Sequence, residues 1–103
     1  MIAVLNHNAN LPVEIDQEAG ALLQQLYAVG WKVSASRYDA NSFGNWYVDL
    51  RFSNLMIRLF KDRSQYMIDG PPKKELEAAG LRKAFEDIEE FQHAVIKWAN
   101  SPK

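Results

Sequence analysis

The sequence predicts an α+β fold: a four-stranded antiparallel meander sheet with an N-terminal and a long C-terminal helix, in the order α-β-β-β-β-α and in two layers. Three observations predict it. Between Trp31 and Asp69, four short runs alternate apolar and polar residues and are joined by turn-forming segments, the period-two signature of half-buried strands. On either side, apolar residues recur at three- and four-residue spacing, the stripe of an amphipathic helix. No helical segment separates the strands, so there is no βαβ crossover and the sheet is antiparallel. A chain of 103 residues is expected to form a single domain spanning 1–103.

Residues 1–13 carry Asn6, Asn8, Asn10 and Pro12 and read as an irregular lead-in, with a short edge strand at 2–5 as one option. Ile15, Ala19, Leu22, Leu23, Leu26 and Val29 place a first helix at about 16–29. Asp16 is the expected cap, because its carboxylate can accept from the exposed N–H groups of the first turn. Gly30 follows where a left-handed C-cap belongs. The first strand, 31–38, is expected to turn Trp31, Val33 and Ala35 inward and Lys32, Ser34, Ser36 and Tyr38 outward. After the loop 39–44, the second strand (45–52) points Trp46, Val48, Leu50 and Phe52 inward. The third (55–61) contributes Leu55, Ile57 and Leu59, and the fourth (65–69) Tyr66 and Ile68. Gly70-Pro71-Pro72 ends the sheet, since proline cannot donate to a ladder. A short helix over 73–79 is broken at Gly80, and Leu81, Phe85, Ile88, Phe91, Val95 and Trp98 form the stripe of the last helix.

Composition excludes several function classes. Apolar residues at 48% and charged residues at 24% are ordinary globular values. A formal charge of −1 supplies no global basic field for nucleic acid or anionic lipid. With no cysteine there are no disulfides, thiolate chemistry or Cys-based zinc sites. The N-terminal apolar run is five residues long and lacks a positive flank, unlike a signal peptide. No run approaches the roughly 20 apolar residues that cross a bilayer. The expectation is a cytoplasmic protein without membrane partners.

Two surfaces are candidates for function. The outward sheet face is expected to carry Tyr38, Tyr47, Asp49, Arg51, Met56, Arg58, Phe60 and Met67, types that combine contact area with polar or adaptable ends. It reads as a partner-binding face, or as a face covered by a helix or bearing only a cross-strand charge ladder. The last helix is expected to carry Glu86, Asp87, Glu89 and Glu90. Such a cluster can mimic phosphate in the groove of a nucleic-acid-cleaving enzyme, or be a solvated helix face in which Arg82 and Glu86 form an i,i+4 pair. The turn Asp62-Arg63-Ser64-Gln65 is a third option, as a binding loop or merely a hydrogen-bonded hairpin.

Nothing in the residue pattern points to catalysis, cofactor or metal. His7 and His93 have no nucleophile or carboxylate partner identified by spacing. Glu89 and His93 stand four apart, but two ligands do not make a site. No phosphate-loop, dinucleotide, nucleophile-elbow or Cys/His metal motif is present. For nucleic acid, residues 31–69 hold six basic and four acidic residues, a weak footprint, and the strand order is wrong for an RNA-recognition βαββαβ domain.

Three stretches carry a family resemblance: Phe43-Gly44-Asn45-Trp46-Tyr47-Val48, Ile57-Arg58-Leu59-Phe60, and Asp62-Arg63-Ser64-Gln65-Tyr66 ahead of an acidic C-terminal helix. Over about 31–98 the chain resembles the small immunity proteins of bacterial toxin systems, including those of contact-dependent growth inhibition. The resemblance implies a bacterial cytoplasmic protein that binds a cognate protein toxin and blocks its active site or substrate access. It needs no catalytic group, only a patch of roughly 800 Å² per partner. The alternative is a small interaction or adaptor module, monomeric or homodimeric. The partner-binding candidates are Tyr38, Tyr47, Asp49, Arg51, Arg58, Phe60, Glu86, Asp87 and Glu90.

Overall fold

A computed structural model describes residues 11–101. The option of a strand at 2–5, and His7, lie outside them. The element order is α1 (Val13–Ala28), β1 (Lys32–Asp39), β2 (Asn45–Phe52), β3 (Leu55–Asp62), β4 (Gln65–Asp69), α2 (Lys73–Ala78) and α3 (Ile88–Asn100). The four strands form one antiparallel sheet in the order β1-β2-β3-β4, the expected meander.

Helix α1 begins at Val13, three residues before the expected start, with Pro12 as its N-cap. Proline's fixed φ suits the first turn, where a missing N–H costs nothing, and the Pro12 carbonyl accepts from the N–H groups of Ile15 and Asp16 at 3.1 Å. Asp16 therefore lies inside the first turn with Glu14, where both carboxylates complement the helix dipole. At the other end the N–H of Gly30 reaches the Tyr27 carbonyl at 3.0 Å, and that of Trp31 reaches Leu26 at 3.0 Å. This is a Schellman closure that needs the positive φ of Gly30, 109°. Helix α2 ends the same way: Gly80 (φ 71°) donates to Glu77 and Leu81 to Leu76, with Leu76 and Leu81 both buried.

The C-terminal helix is shorter than the apolar spacing implies. Leu81 and Phe85 are buried but lie before α3, in an irregular segment with bends at Arg82, Lys83 and Glu86. Phe85 exchanges two backbone hydrogen bonds with Tyr66, at 2.7 and 2.9 Å, and so extends the β4 edge. The helix starts only at Ile88, where the Asp87 carboxylate accepts from the Glu89 N–H at 3.1 Å. Glu86 and Asp87 are consequently not on a helix face. Arg82 pairs with Glu77 instead of Glu86, because residues 82 and 86 do not share a helix.

The core lies between the sheet and the helices. Ile15, Ala19, Leu22, Leu23 and Leu26 of α1 and Phe91, Val95 and Trp98 of α3 meet Trp46, Val48, Leu50, Ile57, Leu59, Tyr66 and Ile68 of the sheet. Trp31, Trp46 and Trp98 are all buried. Strand β1 departs from the expected alternation. Its register slips between Val33 and Ala35, and Ser34 Oγ donates to the Asp49 carbonyl at 3.3 Å. One extra residue in a strand flips every later side chain to the opposite face. Ser36 therefore pairs with inward Val48, and Tyr38 with inward Trp46. Tyr38 is half-buried against the core, on the side opposite to the one expected, while Ala35 and Arg37 point outward. Phe52 and Leu55 lie on the expected side, but the helices stop short of them and they are 43% and 47% exposed.

Candidate functional site: the open sheet face

Helices α1 and α3 pack on the inner side of the sheet, and among the described residues the outer face is open except at its β4 edge, where Phe60 and Met67 share a cleft with Lys73, Leu76 and residues 81–84. The pairing registers arrange this face in three rows. Arg37, Tyr47, Phe60 and Met67 form the first, Ala35, Asp49, Arg58 and Asp69 the second, and Lys32, Arg51 and Met56 the third.

The second row is anchored by a fixed ion pair. Arg58 donates through Nε to Asp49 Oδ1 at 2.7 Å and through a terminal nitrogen to Oδ2 at 3.0 Å, a bidentate fork. The same guanidinium lies 3.9 Å from the centre of the Tyr47 ring, within cation–π range. Its hydrogen bonds to Asp49 push the Arg58 pKa further above its ordinary value, with Asp49, Tyr47 and Asp69 adding attraction. Tyr47, Asp49 and Arg58 thus form one locked unit whose side chains are ordered before any partner arrives. That lowers the entropic cost of binding.

Two turns flank the first row. At Arg63-Ser64 both central residues have positive φ, 53° and 67°, the type I′ geometry that matches strand twist. Without glycine or asparagine the turn is strained. Asn45 clamps it, accepting from the Arg63 N–H at 2.9 Å and donating to Asp62 Oδ1 at 3.2 Å, so hairpin hydrogen bonding accounts for these polar residues. In the β1–β2 loop, Phe43 has φ 61° and is 78% exposed, an uncommon conformation for a bulky residue. Hydrogen bonds from Ser42 N–H to the Asp39 carbonyl (3.2 Å) and from Asn45 N–H to the Ser42 carbonyl (2.9 Å) hold the loop in place.

The expected site residues divide between two sides of the molecule. Tyr47, Asp49, Arg51, Arg58 and Phe60 share the open face. Tyr38 does not, and Glu86, Asp87 and Glu90 are exposed in the helical layer on the other side. Asp87 is moreover engaged as the α3 cap.

Glu18 of α1 organises a polar cluster that the residue pattern did not reveal. It accepts from Trp46 Nε1 at 3.0 Å, from Lys61 Nζ at 2.9–3.1 Å and from the Tyr66 hydroxyl. Partial burial alone would raise its pKa, but the hydrogen bonds from Tyr66, Trp46 and Lys61 outweigh this and hold the carboxyl below its ordinary value. Burial and the Glu18 charge push the Tyr66 hydroxyl up. Three donors, all from the sheet, converge on this one carboxylate of α1, so the cluster ties α1 to the sheet. Trp98 Nε1 donates to Glu75 at 2.6 Å in a second indole–carboxylate contact. The described residues hold no group of three or more His, Cys, Asp or Glu side chains placed for a metal ion, and none of their helices is long and apolar enough to cross a membrane.

Comparison with protein-family models, with curated proteins and with solved structures found no match for this chain.

Proposed function

We propose that this protein is a non-catalytic binding domain of the immunity-protein kind, a stoichiometric inhibitor that docks on a cognate toxin domain in the bacterial cytoplasm through its open sheet face. The observation that carries the reading is the outer face that the described residues leave open, with its pre-ordered Tyr47–Asp49–Arg58 unit. A sheet buried on one side only has no structural need for aromatic, methionine and arginine side chains on the other. Tyr and Arg in a fixed arrangement are the residues that dominate binding energy at protein interfaces. Phe60 and Met67 adjoin them and supply adaptable apolar area. The acidic residues 86–90 lie on the helical side, so the reading does not use them as a nucleic-acid mimic.

Nucleic acid fits this face less well. Asp49 and Asp69 flank Arg58 and repel phosphate, and the Arg58 guanidinium covers the Tyr47 ring that a base would stack on. The test is co-expression with the product of the adjacent gene, which this reading expects to carry a toxic domain. Rescue of growth by the wild type and its loss in Tyr47→Ala/Arg58→Ala support the reading. Absence of both rescue and a co-eluting complex defeats it.

A further inference from the structure

The tip of the β2–β3 hairpin carries a surface of a different kind. Hairpin tips are ordinarily polar, yet Phe52, Leu55 and Met56 are 43%, 47% and 50% exposed. Phe52 and Leu55 are direct cross-strand partners on the helix side, and Met56 faces the open side. A groove of about 240 Å³ continues from Leu55 and Met56 toward Pro71 and Trp98. Large apolar side chains clustered at an exposed edge and rimmed by charge mark an interaction site.

The charge beside the patch is equally uneconomical for folding alone. Lys32 and Arg51 are direct cross-strand partners on the open face, and like charges placed so are destabilising. Both are exposed, and neither forms an ion pair with a described residue. Arg51 also pairs across the ladder with Met56, so the cations border the apolar tip directly. We infer that the hairpin tip is a docking site for an acidic amphipathic segment of a protein partner, its apolar side chains on Phe52, Leu55 and Met56 and its carboxylates on Lys32 and Arg51. This rests on the partner-binding reading above and names the chemistry the partner must present.

Other occupants match less well. A second copy related by a two-fold axis would place Lys32 and Arg51 against themselves. Two cations do not make a phosphate track, and the Phe52 ring lies 5.5 Å from that of Trp31, already partnered on one side. An anionic membrane surface is held by a broad polybasic cluster, and the tip offers only Lys32 and Arg51 on a chain of net charge −1.

The test is a titration of the ¹⁵N-labelled full chain with a synthetic peptide of leucine and glutamate at helical spacing. Amide shift changes confined to Lys32 and residues 51–56, and affinity about tenfold weaker in Lys32→Glu/Arg51→Glu, support the site. Met56→Ser, which leaves the charges in place, should weaken binding as well. Equal shifts with a lysine-for-glutamate version of the peptide overturn it. So does preferential binding of an oligothymidylate or of phosphatidylserine vesicles, or concentration-dependent dimerisation through the same amides. A toxin complex that forms normally with Lys32→Glu/Arg51→Glu but fails with Tyr47→Ala refutes this site and leaves the proposed function standing.

Discussion

Replacing Glu18 tests whether its half-buried carboxylate anchors α1 to the sheet. In Glu18→Ala the Lys61 ammonium can turn to solvent, since its side chain is already partly exposed. The Trp46 indole and Tyr66 hydroxyl cannot, because both residues are buried. Each buried donor left without an acceptor costs about 1–3 kcal/mol, so the variant should lose roughly 2–5 kcal/mol. At about 4–8 °C per kcal/mol for a domain of this size, the thermal midpoint should fall by at least ~8 °C. Glu18→Gln keeps one acceptor oxygen but turns its NH₂ toward another donor, and should fall between the two. The assay is urea unfolding followed by tryptophan fluorescence, completed by a double-mutant cycle with Tyr66→Phe, for which a coupling of about 1–2 kcal/mol is expected. The pH dependence has a fixed sign. The folded pKa of Glu18 is lowered, so its contribution is present above the unfolded value of roughly 4.3 and is lost as pH falls through the folded value. The difference between wild type and Glu18→Gln should therefore shrink in acid. A Glu18→Ala variant within about 0.5 kcal/mol of wild type, or a cycle with no coupling, refutes the anchoring role.

Two further outcomes follow from the same structure. Ser64→Gly removes a side chain from a positive-φ position and should raise stability by about 0.5–1 kcal/mol in denaturant unfolding; an unchanged or lowered midpoint contradicts the type I′ turn. At high pH the phenols of Tyr27, pushed up to about 12 by burial and by Asp16, and Tyr66, also raised by burial and Glu18, stay protonated in the folded state while they ionise in the unfolded chain. Stability should then be steady up to about pH 10 and decline above it. Unfolding curves paired with phenolate absorbance check this, and a decline that begins near neutrality argues against it.

The meander and its turns were legible because period-two alternation and turn residues agree along 31–69. What stayed hidden has identifiable physical causes. The bulge at Ser34 has no sequence mark in a run of small and polar residues, and one extra residue was enough to move Tyr38 to the core side. Leu81 and Phe85 are four apart and mimic a helical stripe, although each is buried from an irregular segment. The Asp87 cap that starts α3 reads in sequence as one member of an acidic run. Phe52 and Leu55 were placed on the correct side, but alternation reports direction only and cannot reveal that the helices end before covering them. Glu18 carried one usable sign: it lies three residues after Ile15 and one before Ala19, at the border of the buried stripe, where a carboxylate needs donors.

The claim that the open sheet face binds a protein partner is tested most directly by the affinity of the isolated Tyr47→Ala/Arg58→Ala variant for the toxin domain that co-expression identifies, measured by titration calorimetry beside its thermal midpoint. The prediction is a loss of at least about 2 kcal/mol in binding, some thirtyfold. The midpoint should stay within several degrees of wild type, because both side chains lie outside the core. Unchanged affinity in a folded variant would contradict it.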